Sequence, residues 1–200
     1  AVLEGSVYVL GGLDDDDHRL SSVERYDAER KRWELEAPMR EARCEFAAAV
    51  LGGRLYAMGG LDEFDSELKS VERYDAERNV WEAVADLNTA LHGCAAAVLD
   101  GKLYVLGGHN DDDDETLSSV ECYDVERNEW ELVGAMNHER QFVAAAVLEG
   151  ELYVRGGRED DDNYLGSMEK YDAERDVWVE LEDEAATLRV SRMGHAAAVV

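Results

Sequence analysis

Short runs of alternating apolar and polar residues, separated by glycine, aspartate and asparagine, recur along the whole chain. One copy begins at residues 47–50 and passes through the glycine turn at 52–53 into residues 54–58. After a polar loop it continues in residues 70–75 and, beyond another turn, in residues 80–84. Runs of this length that are rich in Val, Tyr and Trp indicate β-strands, and no segment has a helical apolar period. The pattern predicts four-stranded antiparallel units, whose strands we label a to d.

Three markers show that this unit occurs four times. Gly-Gly pairs begin at positions 11, 59, 107 and 156, Tyr-Asp pairs begin at 26, 74, 123 and 171, and tryptophans stand at 33, 81, 130 and 178. All three markers advance by 48 or 49 residues from copy to copy. A repeat of this length in a strand-rich chain predicts an architecture in which each copy forms one sheet.

These motifs resemble the kelch family, in which a strand ends in a glycine pair and a Tyr-Asp pair precedes a tryptophan. In every copy the tyrosine stands seven residues before the tryptophan, so the resemblance covers the whole chain. It implies an all-β propeller in which each copy is a blade, strand a lies nearest the axis, and the four equivalent tryptophans pack between blades. The chain departs from the family in lacking proline after Tyr-Asp, and kelch propellers usually have more than four blades.

The two ends of the chain predict how four blades would close. Residues 1–3 match the end of an inner strand, and residues 196–200 match a whole one. We therefore expect a single domain forming a closed four-bladed propeller, in which the C-terminal strand completes blade one and no sheet edge stays open. The expected blades comprise residues 1–39 with 194–200, 40–87, 88–136 and 137–193. The alternative is a fragment of a larger ring.

Strand direction predicts that the d–a connectors and the b–c loops share one face, which we call the top face. Its b–c loops are rich in aspartate. The candidate ligands for weak, multisite cation binding are Asp14, Asp15, Asp16, Asp17, Asp111, Asp112, Asp113, Asp114, Asp160, Asp161 and Asp162. Carboxylates suit hard cations, although no loop has the spacing of an EF-hand. The alternative is that these loops are solvated and keep the protein soluble.

The top face also carries arginines where strand a begins. In kelch domains that bind acidic peptides, arginines at this position line the central pocket, so the resemblance implies that Arg43, Arg140 and Arg192 contact a ligand. Leu91 stands at the fourth position. An arginine fork pairs bidentately with a carboxylate. The remaining candidate ligand-binding residues are Glu45, His92, Phe142 and His195. The alternative is that the arginines only neutralise the aspartate loops.

The charge of the chain narrows the classes of partner. The chain has 20 Lys+Arg against 47 Asp+Glu and a formal net charge of −27. Nucleic acids and anionic membranes need a cationic surface, so we expect neither as a partner. We expect a monomer that binds a protein or peptide ligand. With no signal-peptide pattern and no apolar run of ~18 residues, we expect a cytoplasmic protein. The arginine-rich acidic composition is typical of salt-adapted proteins, and the recurring Tyr-Asp-Ala-Glu-Arg is typical of designed repeats.

No motif for catalysis is present in the sequence. Some kelch-like propellers are copper oxidases, sugar mutarotases or iron-dependent specifier proteins, so an enzyme is the alternative function. The five histidines have no HxH or HExxH spacing, and the E-x3-D-x3-H pattern of the iron-binding members is absent. Three cysteines without a CxxC pair indicate neither a disulfide framework nor a zinc site. We therefore predict a non-enzymatic scaffold or protein-interaction module that has no cofactor and binds through its top face.

Overall fold

The computed structural model describes residues 1–159, 163–181 and 193. These residues form four antiparallel sheets of four strands each, with a two-stranded ribbon in one loop. The strands are β1 (Val2–Leu3), β2 (Ser6–Leu10), β3 (Val23–Asp27), β4 (Arg32–Glu36), β5 (Ala47–Leu51), β6 (Arg54–Met58), β7 (Val71–Asp75), β8 (Val80–Ala83), β9 (Ala95–Leu99), β10 (Lys102–Leu106), β11 (His109–Asn110), β12 (Glu115–Thr116), β13 (Val120–Asp124), β14 (Glu129–Val133), β15 (Ala144–Leu148), β16 (Glu151–Arg155), β17 (Met168–Asp172) and β18 (Val177–Glu180). In this part of the chain no helix is long and apolar enough to cross a membrane.

Each sheet is built from strands that follow one another in the sequence. The orders are β1-β2-β3-β4, β5-β6-β7-β8, β9-β10-β13-β14 and β15-β16-β17-β18, and the ribbon β11-β12 lies in the loop between β10 and β13. We number these sheets one to four along the chain. The predicted meander of strands a to d is confirmed in all four copies.

The innermost strands lie side by side because their side chains are small. β5 packs beside β9, and β9 packs beside β15. All three begin with three alanines. An alanine occupies little volume, so neighbouring backbones approach closely where the sheets converge.

Tyrosine pairs join each of the first three sheets to the next. A strand-b tyrosine meets a strand-c tyrosine edge to face, a favoured geometry for aromatic rings. The ring centroids are 6.1 Å apart for Tyr8–Tyr74, 6.0 Å for Tyr56–Tyr123 and 5.8 Å for Tyr104–Tyr171. The three interfaces are therefore built in the same way.

A hydrogen-bonded latch accompanies each tyrosine pair. Between the second and third sheets, the indole N–H of Trp130 donates to the Ala85 carbonyl over 2.9 Å. Asn128 Oδ1 accepts from the Ala85 N–H at 2.9 Å and from the Tyr123 hydroxyl at 2.6 Å. The same latch joins Trp81, Ala37, Asn79 and Tyr74 at the preceding interface, and Trp178, Gly134, Asp176 and Tyr171 at the following one. Each latch fastens a sheet to the start of the connector that leaves the preceding sheet.

The first sheet departs from this pattern on the face that is turned away from the second sheet. Lys31 stands two residues before Trp33, where the other sheets have the asparagine or aspartate of the latch. Trp33 is 45% exposed, whereas Trp130 is 7% exposed. Val7 and Val9 are 44% and 51% exposed, although their counterparts in the second sheet are fully buried. Among the described residues Trp33 is therefore not covered as the other three tryptophans are, because no described sheet packs on this face.

The inner edge of the first sheet is only partly paired within the described residues. β1 pairs Val2 with Val7 and Leu3 with Ser6, whereas β5, β9 and β15 each pair along five residues. Residues 194–200, on which the predicted closure depends, lie outside the described residues. The closed ring, the blade count and the blade boundaries therefore stay predictions.

We expect Gly107→Ala to destabilise the protein far more than Gly52→Ala. Both glycines have a positive φ near 60°, where a side chain costs about 1–2 kcal/mol. A Cβ on Gly107 would lie 2.2 Å from the Arg140 carbonyl oxygen, whereas a Cβ on Gly52 would meet nothing within 4 Å. The close contact should bring the loss at Gly107 to about 3 kcal/mol or more. Urea unfolding of both variants measures the difference, and equal losses would contradict the close approach of connector and sheet.

Asp176 should make the third latch sensitive to acid. The Tyr171 hydroxyl, and after it the Gly134 N–H, lower the pKa of Asp176 below its usual 3.8. A lowered pKa means that stabilisation is complete above the unfolded-state value of about 3.9 and is lost as the pH falls through the lower folded value. Asp176→Asn places here the asparagine of the other two latches, and it removes this dependence of stability on pH, because an amide does not titrate. Wild-type stability relative to the variant should thus fall between neutral pH and pH 2.5, and a constant difference would contradict this role of Asp176.

Candidate functional site at the top face

The connectors and the b–c loops lie together, as strand direction predicts. Outside the strands, single antiparallel backbone pairings join Cys44 to Leu61, His92 to His109 and Gln141 to Arg158. In each pair the first residue belongs to a connector just before an inner strand, and the second follows a glycine pair. The two kinds of loop therefore form one continuous surface.

Backbone hydrogen bonds link the connectors where the inner strands begin. The Phe142 N–H donates to the Gly93 carbonyl over 2.6 Å, and the Gly93 N–H donates to the Glu45 carbonyl over 2.8 Å. All three residues have φ between 52° and 63°. A Cβ on Gly93 would lie 3.3 Å from the Phe142 ring, so the glycine lets this ring lie against the backbone.

Around Phe142 lies a group of side chains that we call the rim cluster: Glu45, His92, His109, Phe142 and Arg158. The His92 ring meets the His109 ring at 5.5 Å and the Phe142 ring at 6.2 Å, both edge to face. Glu45 Oε2 is 3.8 Å from His92 Nε2. The Arg158 guanidinium lies 5.4 Å from the centre of the Phe142 ring, within the range of a cation–π contact. The cluster combines an aromatic surface with charges of both signs.

A groove of about 340 Å³ adjoins the rim cluster at His109. Its other lining residues are Asp114, Glu115, Thr116, Glu139, Gln141 and Glu159. With His109 the groove has seven lining residues, of which four carry carboxylates and none is lysine or arginine. Its chemistry therefore favours a cationic group.

The expectation that Arg43 and Arg140 contact a ligand is corrected by their burial. Both are completely buried. Arg140 donates to the Gly156 carbonyl at 2.7 Å, to the Ser167 hydroxyl at 2.7 Å and to Glu169 at 2.9 Å. Arg43 makes the equivalent bonds to Gly59, Ser70 and Glu72. The strand-c glutamate of each of these two sheets is itself buried and pairs with the guanidinium, so the arginine side chain lies in the sheet and away from the top face.

These glutamates also hold the backbone of the connectors. Glu72 accepts hydrogen bonds from the Arg40 N–H at 2.7 Å and from the Glu41 N–H at 3.1 Å. In the third sheet, where Leu91 replaces the arginine, Glu121 still accepts from the N–H groups of Asn88 and Thr89. The arginines and glutamates therefore fasten each connector to its sheet. The remaining predicted residues of this group, Arg192 and His195, lie outside the described residues.

The aspartate runs shape their own loops. Asp14 Oδ1 accepts from the N–H groups of Asp16 and His18, both at 2.9 Å, and the His18 bond is the main cause that lowers the pKa of Asp14. Asp15, Asp16, Asp17, Asp112, Asp113 and Asp114 are exposed, and Asp111 lies beside the rim cluster. Asp160, Asp161 and Asp162 lie outside the described residues. Cation binding by these runs stays a prediction.

The structure brings together three of the predicted ligand residues, Glu45, His92 and Phe142. It adds two that sequence reasoning missed, His109 and Arg158. A signal for both was present, because they occupy the position directly after the glycine pair in their copies. The residue after the glycine pair lies opposite the connector residue that follows the arginine position. In the third copy these two residues are His109 and His92, so the sequence could have brought them together.

A family model for the KLHDC2/KLHL20/DRC7 Kelch-repeats domain matches residues 1–200. The chain belongs to this kelch-repeat family. This match confirms the kelch resemblance that the sequence repeats indicate. A search of the curated proteins finds no relative.

Among solved structures, the kelch chain is similar to the one titled "Structure of YjhT", with a TM-score of 0.78 and 17% sequence identity. The match covers 93% of this chain and 65% of the YjhT chain. The chain thus spans somewhat less than two thirds of that structure. At this identity the similarity establishes a shared fold.

Proposed function

We propose that this kelch-repeat chain binds a protein segment rich in lysine and arginine at its top face, without catalysing a reaction. The observation that carries the proposal is the carboxylate-lined groove that adjoins the rim cluster at His109. A lysine or arginine side chain of the ligand enters the groove, and a neighbouring side chain packs on the aromatic rings of the rim cluster. The net charge of −27 steers a cationic partner toward this chain.

The burial of the connector arginines supports a basic ligand over an acidic one. Arg43 and Arg140 give their hydrogen bonds to glutamates and carbonyls of their own sheets. They are therefore unavailable to the carboxylates of an acidic peptide. Arg158, which lies over Phe142, is the cation that the described residues place in the rim cluster.

The state of the cysteines supports binding without catalysis. Burial raises the pKa of Cys94 to about 12 and also raises the pKa of Cys44 and Cys122. Since the thiolate is the nucleophile, these thiols are poor candidates for covalent catalysis at neutral pH.

The proposal is tested by the binding of a fluorescent Lys/Arg-rich peptide to two charge-matched double variants. Asp114→Asn with Glu139→Gln removes two groove carboxylates, and Glu77→Gln with Glu126→Gln removes two exposed glutamates from c–d turns. We expect at least tenfold weaker binding for the groove variant and little change for the turn variant. Equal weakening of both variants, or preference for a Glu-rich peptide, would contradict the proposal.

We retain the closed four-bladed ring as a proposal about the scaffold. It is supported by residues 196–200, which repeat the sequence of an inner strand, and by the edge of β2 at Val9 and Leu10, beside which the described residues place no further strand. Lys31 opposes it, because a seam between the fourth and first sheets would lack the latch of the other interfaces. The alternative is a larger ring, in which a further blade covers the first sheet.

A further inference from the structure

Three potential metal ligands from different segments meet at the edge of the rim cluster, and one of them, His92, belongs to it. Glu67 comes from the b–c loop of the second sheet, His92 from the connector into the third sheet, and Asp111 from the b–c loop of the third sheet. One ligand atom from each residue lies within 4.8 Å of the other two. Glu67 Oε1 is 2.7 Å from His92 Nδ1, and Glu67 Oε2 accepts the Asp111 N–H at 2.9 Å. Ligands that surround one ion at about 2 Å have separations of this order.

The charges around these three residues are unbalanced. None of Glu45, Glu67, Asp111 and Asp114 forms an ion pair with a lysine or arginine of the described chain, and their charged partners are His92 and His109. The Glu67 side chain is only 6% exposed and the His92 side chain 12% exposed. A nearly buried carboxylate in such surroundings favours a cation.

The other interfaces provide internal comparisons for this group. At the position of His92 the second sheet has Cys44 and the fourth has Gln141, and at the position of Glu67 the first sheet has Arg19. Among the described residues, a group of three such ligand atoms within 4.8 Å of one another occurs only where the second and third sheets meet. The repeated sequence pattern therefore does not by itself require this group of three ligands, since the equivalent positions of the other copies hold other residues.

We propose that Glu67, His92 and Asp111 bind one divalent transition-metal ion, of which Zn²⁺ is the probe. An imidazole with two carboxylates suits such an ion better than Ca²⁺, which takes only oxygen ligands. The bound ion takes the place of the hydrogen bond between His92 Nδ1 and Glu67 Oε1 and ties the second sheet to the third. This site lies beside the peptide groove and shares His92 with the rim cluster, but none of its three ligands lines the groove.

Isothermal titration of the whole chain with Zn²⁺ tests the proposal through Asp111→Asn and its neighbour Asp112→Asn. Asp111 has a half-exposed side chain, so its substitution leaves the fold intact. We expect one Zn²⁺ per chain, at least tenfold weaker binding in Asp111→Asn and in His92→Ala, and unchanged binding in Asp112→Asn and His18→Ala. The melting temperature should rise with Zn²⁺ in the wild type and in the two control variants only.

Three results would overturn the proposal. One is the absence of saturable Zn²⁺ binding to the wild type. Another is equal weakening by Asp111→Asn and Asp112→Asn, which would assign the ion to the aspartate run. The third is Ca²⁺ binding as tight as that of Zn²⁺ and unaffected by His92→Ala. Peptide binding does not enter these measurements, so the two proposals fail independently.

Discussion

Replacing Arg140 with leucine should destabilise the protein by about 3–5 kcal/mol, because it leaves a buried carboxylate without its counter-charge. Arg140 and Glu169 are both fully buried, and the guanidinium also satisfies the Gly156 carbonyl. Leucine is the residue that the third sheet has at this position, so the substitution fits the space of an existing connector. Urea unfolding at neutral pH measures the loss.

The matched control for this substitution is Arg127→Leu. Arg127 pairs with Glu129 and Glu131 on an exposed turn, and exposed ion pairs contribute little to stability. Its substitution should leave the unfolding midpoint nearly unchanged. If Arg140→Leu were equally harmless, the arginine would not fasten the connector, and a role at the surface would have to be reconsidered.

Trp130→Ala should cost about 3–5 kcal/mol, as the truncation of a large buried side chain does. The Trp130 ring packs against Tyr123 at 4.9 Å and donates its indole N–H to the Ala85 carbonyl. Truncation removes the packing and leaves one latch bond unmade. The unfolding free energy of the variant gives the loss directly.

If the face of the first sheet stays uncovered, as it is among the described residues, Trp33→Ala should cost only about 1.5 kcal/mol, because nearly half of this side chain is already in contact with solvent. Trp33 still packs on Tyr26 at 5.2 Å, so some loss remains. The two tryptophans occupy the same position in their repeats and differ in what covers them. A loss at Trp33 as large as that at Trp130 would contradict the uncovered face and would show that a sheet packs on it in solution, as a closed ring requires.

The strands and their order could be predicted from the sequence because they depend on local signals. Turn residues set the ends of each strand, and three markers repeat in one register, so an error in one copy is corrected by the other three. The interfaces are harder to predict. The latch depends on Asn79, Asn128 and Asp176, which are ordinary turn residues until the Trp and Tyr of the same sheet bring them against a preceding connector.

The arginines show why the candidate site could be predicted only in part. Arg43 and Arg140 are placed correctly in the connectors, but the sequence does not tell whether such a side chain points outward or back into its sheet. Glu72 and Glu169 decide this, because each is a buried carboxylate that accepts a hydrogen bond from the guanidinium 29 residues before it in the chain. Glu45, His92 and Phe142 could be predicted, since the start of an inner strand places them at the top face whatever their partners are.

Nuclear magnetic resonance mapping of the bound face tests the central claim, that the top face binds a basic segment, most directly. Addition of the Lys/Arg-rich peptide should shift the amide signals of Gly93, His109 and Phe142 in a saturable manner. The amides of the c–d turns, residues 28–31, 76–79 and 125–128, should stay unchanged. Shifts confined to those turns, or no saturable shift at the top face, would contradict the claim.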